Sequence, residues 1–231
     1  MVTITPNGDV PQQPMNFDNS YLPDQLIAGV YPRVTANVTV TSGATVNTVT
    51  PLPRGTVLGQ STIGAATFAL KAGDTGNATC SAVTVAANAK VGVYIAKFLT
   101  ATTFNVFDPL GNEVGQGTLS AAFANEIGFT MTAGGTAMVA GDQALFTAAA
   151  GTGNYIPSVA TATDGSQVPS AILADQCDPS AGAVTAGVYL TGEFNLNAIT
   201  FDSGYTAAAL NPLLRPFNIF LKSANVASDP N

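Results

Sequence analysis

The chain has 231 residues and a formal net charge of −7; 46% of its residues are hydrophobic and only 9% are charged. This length allows one large domain or two smaller ones, and the charged fraction is far below the roughly 25% typical of soluble domains. The seven lysines and arginines are scattered between Arg33 and Lys222 and form no basic patch. Binding to nucleic acid, which needs clustered positive charge, is therefore not expected.

Small and β-branched residues dominate the composition, and glutamate, lysine and arginine, which favour helices, are scarce. This composition predicts an all-β protein. A surface covered by Thr, Ser, Asn, Ala and Gly also loses little side-chain entropy when it is covered by another chain, so it favours permanent contact with other subunits. An acidic monomer, kept soluble by its charge, is the alternative.

Residues 1–20 are predicted to form an extended arm. Three prolines interrupt this segment (Pro6, Pro11 and Pro14), and no hydrophobic periodicity begins before Phe17. Proline fixes φ and removes a backbone donor, so the segment favours extended structure over helix. We expect it to order when it binds a partner, with Phe17, Tyr21 and Leu22 as apolar anchors. The alternative is that these three side chains cover the base of their own core.

Residues 21–60 and 152–222 are predicted to form one β domain. Val34–Thr41 is rich in β-branched residues, and Val188–Ala198 shows the cleanest alternation of apolar and polar residues. Pro169–Ala174 is predicted as a short strand or a single helical turn. Thr206 is predicted to cap a short helix that Pro212 limits. Residues 223–231 are predicted to be a frayed C-terminal tail.

Residues 61–151 are predicted to be an inserted β-module, a small sandwich or meander. Short strand candidates alternate here with turn sequences, among them Asp108–Gly111. Tyr94, Ala96 and Phe98 are predicted to share one face of a strand, as are Phe104 and Val106. The other candidates are Thr79–Val85, Phe129–Met131 and Gln143–Thr147.

The chemistry expected of a catalytic or metal site is missing from the sequence. No histidine is present, which removes the commonest general base, the serine triad and most zinc sites. Asp108, Asp164 and Asp178 begin turn sequences, where aspartate commonly accepts backbone N–H groups. We expect no catalytic residue, no cofactor and no metal site. A glycosidase built on two carboxylates in a cleft is the enzyme alternative.

Cys80 and Cys177 have no metal-binding spacing, and buried free thiols are predicted rather than a disulfide, which the even number also permits. The N-terminus lacks the charged and apolar regions of a secretory signal. No apolar run approaches the roughly 18 residues of a membrane span. We therefore expect synthesis in a host cytoplasm and no membrane insertion.

Several strings resemble the lambda-type bacteriophage head decoration protein family. They are Tyr21–Gly29, Arg54–Gly59, Ala162–Gln167 with Ala171–Ala174, Val188–Asn195 and Ile219–Lys222. "DGSQ" followed by "AIL", and then "VYLTGEFN", are the more specific of these, whereas "RGTVLG" alone is weak. The string Phe104–Gly117 also resembles a β-module that recurs in phage structural proteins.

The resemblance implies a mostly β, clip-like core that binds the expanded capsid as a homotrimer. It implies the major capsid protein as partner, the outer surface of the virion as location and capsid stabilisation as function. Residues 61–151 are absent from the small family members. Their role is left open, and recognition of a host surface glycan or protein by this insert is the alternative function.

Overall fold

The computed structural model describes residues 26–42 and 51–223, and its secondary structure is mainly β, which confirms the all-β prediction. Its α-helix, α1, spans only Ala207–Leu214. Within the described ranges no helix is long and apolar enough to cross a membrane. The strands, in chain order, are β1 (Val34–Val40), β2 (Val57–Gln60), β3 (Ile63–Leu70), β4 (Thr79–Cys80), β5 (Thr84–Val85), β6 (Gly92–Phe98), β7 (Thr103–Phe107), β8 (Glu113–Thr118), β9 (Ala122–Ala124), β10 (Ile127–Thr132), β11 (Gln143–Ala150), β12 (Tyr155–Pro157), β13 (Pro169–Leu173), β14 (Val184–Asn195) and β15 (Ile219–Lys222).

Five of these strands close into a small barrel in the order β1-β12-β2-β13-β14, with β14 returning to β1. The closure between β1 and β12 is parallel and rests on the pair Val40 and Tyr155, whereas the other four ring pairings are antiparallel. The sixth strand, β15, lies parallel to the last four residues of β14.

Strands β2 and β13 of the barrel bury both faces, because alternate side chains point to opposite sides and both sides are covered. In β2, Val57 joins one hydrophobic cluster while Leu58 joins another. The first cluster packs under α1, through Leu210 and Leu214. The second consists of Val40, Leu52, Leu58, Ala171, Leu173, Ala186 and Val188. The two clusters therefore cover opposite faces of β2 and β13, whereas β1 leaves alternate residues exposed.

The helix begins as predicted but does not end as predicted. The Thr206 hydroxyl accepts a hydrogen bond from the N–H of Ala209 at 3.2 Å, which is the expected N-cap. Pro212 was expected to limit the helix, yet it lies inside it. Leu210 and Leu214 are both 0% exposed; their burial on one face offsets the missing backbone hydrogen bond of the proline.

The segment from β3 to β11 forms a two-layered β-structure with an aromatic core. One layer is a five-stranded antiparallel sheet in the order β3-β11-β6-β7-β8, and the other places β4, β5 and β9 on β10. Tyr94, Ala96 and Phe98 are buried on one face, as predicted, together with Phe104 and Val106. The Phe129 and Phe146 rings stack with their centroids 4.1 Å apart.

Two predicted elements differ from the structure, and four strands were not predicted. Thr79–Val85 is two short strands, β4 and β5, rather than one. The alternation predicted to run through Ala198 ends at Asn195, because Leu196–Ala198 turns into a 3-10 helix whose N-cap is the Asn195 side chain. Strands β3, β8, β9 and β12 were not predicted; their Ala, Gly and Pro residues have low β-propensity, and packing overrides it.

The two ends of residues 61–151 lie side by side where they leave the barrel. The N–H of Gly153 donates to the carbonyl of Ser61, and that of Gly151 to the carbonyl of Thr62, both at 2.9 Å. The aromatic cluster contains only residues from 66 to 148, whereas the two barrel clusters draw on residues outside this range. Adjacent ends and an independent core are what a tolerated insertion needs.

We predict that replacing residues 61–151 with a short Gly-Ser linker leaves a folded barrel, because the barrel clusters lose no buried side chain. Circular dichroism and a cooperative thermal transition are the measurements. As a control in the full chain, Phe129→Ala should destabilise the segment by about 3–5 kcal/mol and leave the barrel transition in place. Loss of barrel folding in the linker variant would contradict the prediction.

Candidate functional site

The predicted capsid-binding anchors, Phe17, Tyr21 and Leu22, lie outside the described residues. The structure instead describes the segment that joins the predicted arm to the barrel. This segment, residues 26–33, is called the arm root below.

The arm root pairs with the last residues of β14. The N–H of Ala28 donates to the carbonyl of Glu193 at 2.9 Å, and the N–H of Asn195 donates to the carbonyl of Leu26 at 2.8 Å. Between them, Ile27 forms an antiparallel bridge with Phe194. The Leu26 side chain is 3% exposed and packs in the cluster under α1. The chain that precedes Leu26 therefore starts from a fixed point on the barrel.

Glu193 is the charged residue that holds the arm root. Its carboxylate forms an ion pair with the Lys222 ammonium at 2.8 Å, and the backbone N–H groups of Val30 and Tyr31 lie near enough to favour its charged form. The Lys222 hydrogen bond, aided by these backbone donors, lowers the pKa of Glu193 despite partial burial. Next to it, a Cβ on Gly29 would come within 1.6 Å of Glu193 Oε2, so a larger residue there would displace the Glu193 carboxylate.

An aromatic contact also packs the arm root against β15. The Tyr31 ring meets the Phe220 ring edge-on, with centroids 5.0 Å apart. Val30, in contrast, is 98% exposed. The segment therefore presents an apolar side chain to solvent from a backbone that β14 and β15 hold in place.

A second charged cluster lies in the two-layered β-structure. The Lys90 ammonium is 3.1 Å from Asp108 Oδ2 and 2.5 Å from Glu126 Oε1, and the Tyr94 hydroxyl donates to Glu126 Oε2 at 2.7 Å. Burial and the contact with Glu126 raise the pKa of Tyr94 to about 12. Sequence reasoning missed this cluster, because nothing in the spacing of Lys90, Asp108 and Glu126 brings them together.

Asp108 performs the turn role that its sequence predicts. Its Oδ1 accepts the N–H groups of Leu110 and Asn112 at 2.9 and 2.8 Å. Burial raises its pKa, but the hydrogen bonds from Asn112, Lys90 and Leu110 outweigh that and bring the pKa to about 2. The carboxylates of Asp164 and Asp178 likewise accept the N–H of the second residue after each, at 3.0 Å.

The surface carries two pockets that bear on the glycosidase alternative. One, of about 150 Å³, lies where the two-layered segment meets the barrel and is lined by Gln60, Thr62, Gly165, Val168, Ser170 and Phe217. The other, of about 270 Å³, is lined by Ser, Thr, Ala, Gly and Phe side chains of β9, β10 and residues 81–84. No carboxylate lines either pocket, and within the described ranges no group of three metal-ligating residues is found.

The cysteines are free thiols, as predicted, although both are partly exposed rather than fully buried. Desolvation raises the pKa of each thiol. Neither thiol is therefore activated as a nucleophile.

The comparison with protein families decides the identification. The family model described as bacteriophage lambda head decoration protein D matches residues 19–212 of the chain. The chain belongs to this family. The matched range includes the arm root, the barrel and the whole segment between β2 and β12, and the family is a structural one of the virion capsid.

The similarity of this decoration-family chain to solved structures is weak. No curated protein sequence matches it. Among solved structures, FlgL of Xanthomonas campestris overlaps with 43% of this chain and 34% of its own, at 20% identity and a TM-score of 0.32. The hook junction protein FlgK of Burkholderia pseudomallei overlaps with 52% of this chain and 21% of its own, at 19% identity and a TM-score of 0.31. The chain thus spans about a third or less of these two proteins, and the TM-scores are too low to establish a shared fold.

We predict that Glu193→Gln loosens the arm root, because the amide loses the charge that pairs with Lys222 and accepts backbone N–H groups less strongly. Amide hydrogen exchange at Val30 and Tyr31 should accelerate. In the wild type the pKa of Glu193 is lower in the folded state. Its contribution to stability is therefore present above the ordinary carboxyl pKa and lost as pH falls through the depressed value.

Glu113→Gln, on an exposed position of β8, is the matched control for removing one carboxylate. It should leave exchange at the arm root unchanged. Equal exchange in the wild type and Glu193→Gln would contradict the assigned role of Glu193.

Proposed function

We propose that this chain is a cement protein that binds the outer surface of the expanded phage head as a homotrimer and stabilises the shell. Membership of the decoration family supports action on the capsid. The observation that supports stabilisation of the shell through the arm is the arm root. It is a backbone segment that β14 and Glu193 hold directly after the predicted arm. A fixed root allows tension on an arm to reach the folded domain.

The arm is proposed to bind the major capsid protein as an added strand. Strand addition gains affinity from backbone hydrogen bonds and register from side chains. Phe17, Tyr21 and Leu22 would contribute about 1.5–3 kcal/mol each if they were fully buried. This is comparable to the cost of ordering a few backbone residues, so a single arm binds weakly.

Trimerisation is proposed to turn three weak arms into one strong attachment. Linked contacts raise the effective concentration of the second and third arm, a gain of roughly 10²–10⁴ in avidity. A trimer that bridges neighbouring capsid subunits would then oppose the outward pressure of the packaged genome. Residues 61–151 are proposed to form a separable module carried by the barrel, outside the attachment itself.

We predict a homotrimer in solution or on the head, because the charge-poor surface suits permanent subunit contacts. Multi-angle light scattering at high protein concentration and a density map of the decorated particle measure it. Dimers on the capsid would contradict the proposal.

We predict that deleting residues 1–16 leaves the melting temperature unchanged but weakens capsid binding at least about tenfold, which is about 1.4 kcal/mol. Co-sedimentation with undecorated expanded heads measures the binding, and calorimetry measures the stability. Deleting residues 224–231 is the control and should preserve binding. Full binding without residues 1–16 would mean that docking uses the folded surface instead of the arm.

A further inference from the structure

A row of polar side chains crosses the five-stranded sheet from β3 to β8. Gln143 of β11 lies opposite Lys97 of β6. Lys97 in turn lies opposite Asn105 of β7, and Asn105 opposite Gln116 of β8. Lys71 extends the row just past β3, where its N–H donates to the carbonyl of Gln143 at 3.0 Å. These five residues, in the spatial order Lys71, Gln143, Lys97, Asn105 and Gln116, are called the polar row below.

The polar row lies on the outer face of the sheet. In four strands the residue beside the row packs in the aromatic core, namely Leu70, Ala144, Ala96 and Phe104, so the side chains of the row point to the opposite side. Lys71, Lys97 and Gln116 are exposed. The row also lies far from the barrel, because Gln143 begins β11, whose other end leads to the paired ends of the segment.

The side chains of the polar row have no partner inside the chain. Across residues 26–42 and 51–223, neither lysine of the row forms an ion pair, and no side chain of the row donates or accepts a hydrogen bond. Asn105 Oδ1 is buried as well as unpartnered. A buried acceptor without a donor costs free energy, so a donor from a bound partner would stabilise this oxygen.

The two lysines of the polar row keep their charges uncompensated. Asp74, near one end of the row, directs its Oδ2 at the N–H of Gln143 at 2.7 Å, and Glu113 lies opposite Phe107 at a corner of the sheet. Neither carboxylate forms an ion pair with a lysine of the row. In a chain with a net charge of −7, two free ammonium groups on one face favour an anionic partner.

An apolar row runs beside the polar row on the same face. Leu145 lies between Ala69 and Ile95, and Ile95 lies opposite Phe107. Ala69 is exposed and the other three are half-buried. The face therefore offers ammonium and amide groups next to a flat apolar strip. A sugar polymer presents the matching chemistry, since its rings carry hydroxyl groups at their edges and C–H groups on their faces.

We propose that the polar row binds an acidic polysaccharide, a chain of sugars that carries carboxylate groups and lies across the strands. Lys71 and Lys97 are two strand spacings apart, about 10 Å, and bind carboxylates along the sugar chain. The Gln143 amide between them, with both donors and an acceptor, binds hydroxyl groups. A sugar hydroxyl donates to Asn105 Oδ1, and the apolar row packs against the sugar rings.

The sheet favours a sugar over an acidic peptide as the partner. An extended peptide usually gains affinity by pairing with free backbone groups at a sheet edge. Strands β11, β6 and β7, which carry the centre of the row, have a neighbouring strand on both sides. Recognition at this face must therefore use side chains alone. The inference does not rest on the proposed function, because capsid attachment is proposed to use the arm rather than residues 61–151.

The first test measures binding of an oligogalacturonate, a carboxylate-bearing sugar oligomer, to the free full-length protein by isothermal titration calorimetry. The wild type should bind it saturably. The fully methyl-esterified oligomer, which has the same sugar chain without the charge, should bind at least about tenfold more weakly, because hydrogen bonds between charged groups are the strong ones. Added salt should also weaken binding, because exposed charges are screened. Absence of saturable binding, or equal binding of the ester, would overturn the proposal.

The second test removes one charge at a time. Lys97→Gln should weaken binding of the oligogalacturonate at least about tenfold, because hydrogen bonds to a charged group are the strong ones. Arg215→Gln is the matched control, since it removes one exposed positive charge from the barrel side of the chain, and it should bind like the wild type. Equal losses in the two variants would mean attraction by overall charge and would refute binding at the polar row.

The third test locates the ligand and compares it with an acidic peptide. On addition of the oligogalacturonate, the side-chain amide resonances of Gln143, Asn105 and Gln116 should shift in NMR spectra, whereas those of Gln60 and Gln167 at the barrel should not. Tighter binding of poly-glutamate at the same residues would overturn the choice of a sugar and assign the row to an acidic protein. All three tests use free protein without heads, so their failure would leave the proposed capsid attachment unaffected.

Discussion

The fold depends on one strand, β14, which changes neighbours part-way along its length. Its first eight residues pair with β1 and, in part, with β13, and these pairings close the barrel. Its last four residues pair with β15 and with the arm root. Gly192, at φ +149°, lies where the neighbours change, and a Cβ there would come within 2.9 Å of the Phe194 ring. A larger residue would displace the ring that anchors the cluster under α1.

One continuous strand, β14, therefore closes the barrel, pairs with β15 and holds the arm root. Glu193 and Phe194 are adjacent, so one side chain binds Lys222 and the arm root in partial solvent while the next is 0% exposed in the core. An arm attached here cannot pull away without breaking ladder hydrogen bonds of a central strand. That is a sound mechanical basis for a protein of a capsid-decoration family.

The segment from β3 to β11 follows a different principle, since aromatic packing rather than barrel closure holds it together. Phe129 stacks with Phe123, Phe104 and Phe146, and the Lys90 cluster fixes the loop before β6. Beyond the paired ends of the segment, Gln167 of the barrel reaches across to the carbonyl of Ala87 at 3.2 Å. Because the segment from β3 to β11 has its own core and few hydrogen bonds to the barrel, its surface can change without disturbing the barrel or the arm root.

The sequence by itself determined the all-β class, the β1 strand, the buried alternation of Tyr94, Ala96 and Phe98, and the turn roles of Asp108, Asp164 and Asp178, because each depends on neighbouring residues. Its "DGSQ" and "VYLTGEFN" strings also led to the family. Only the tertiary structure decided the closure of β1 onto β12, the Ala-rich edge strand β3, the continuation of α1 past Pro212 and the cluster of Lys90, Asp108 and Glu126. These features depend on burial and pairing between residues far apart in the chain, for which local propensity carries no signal.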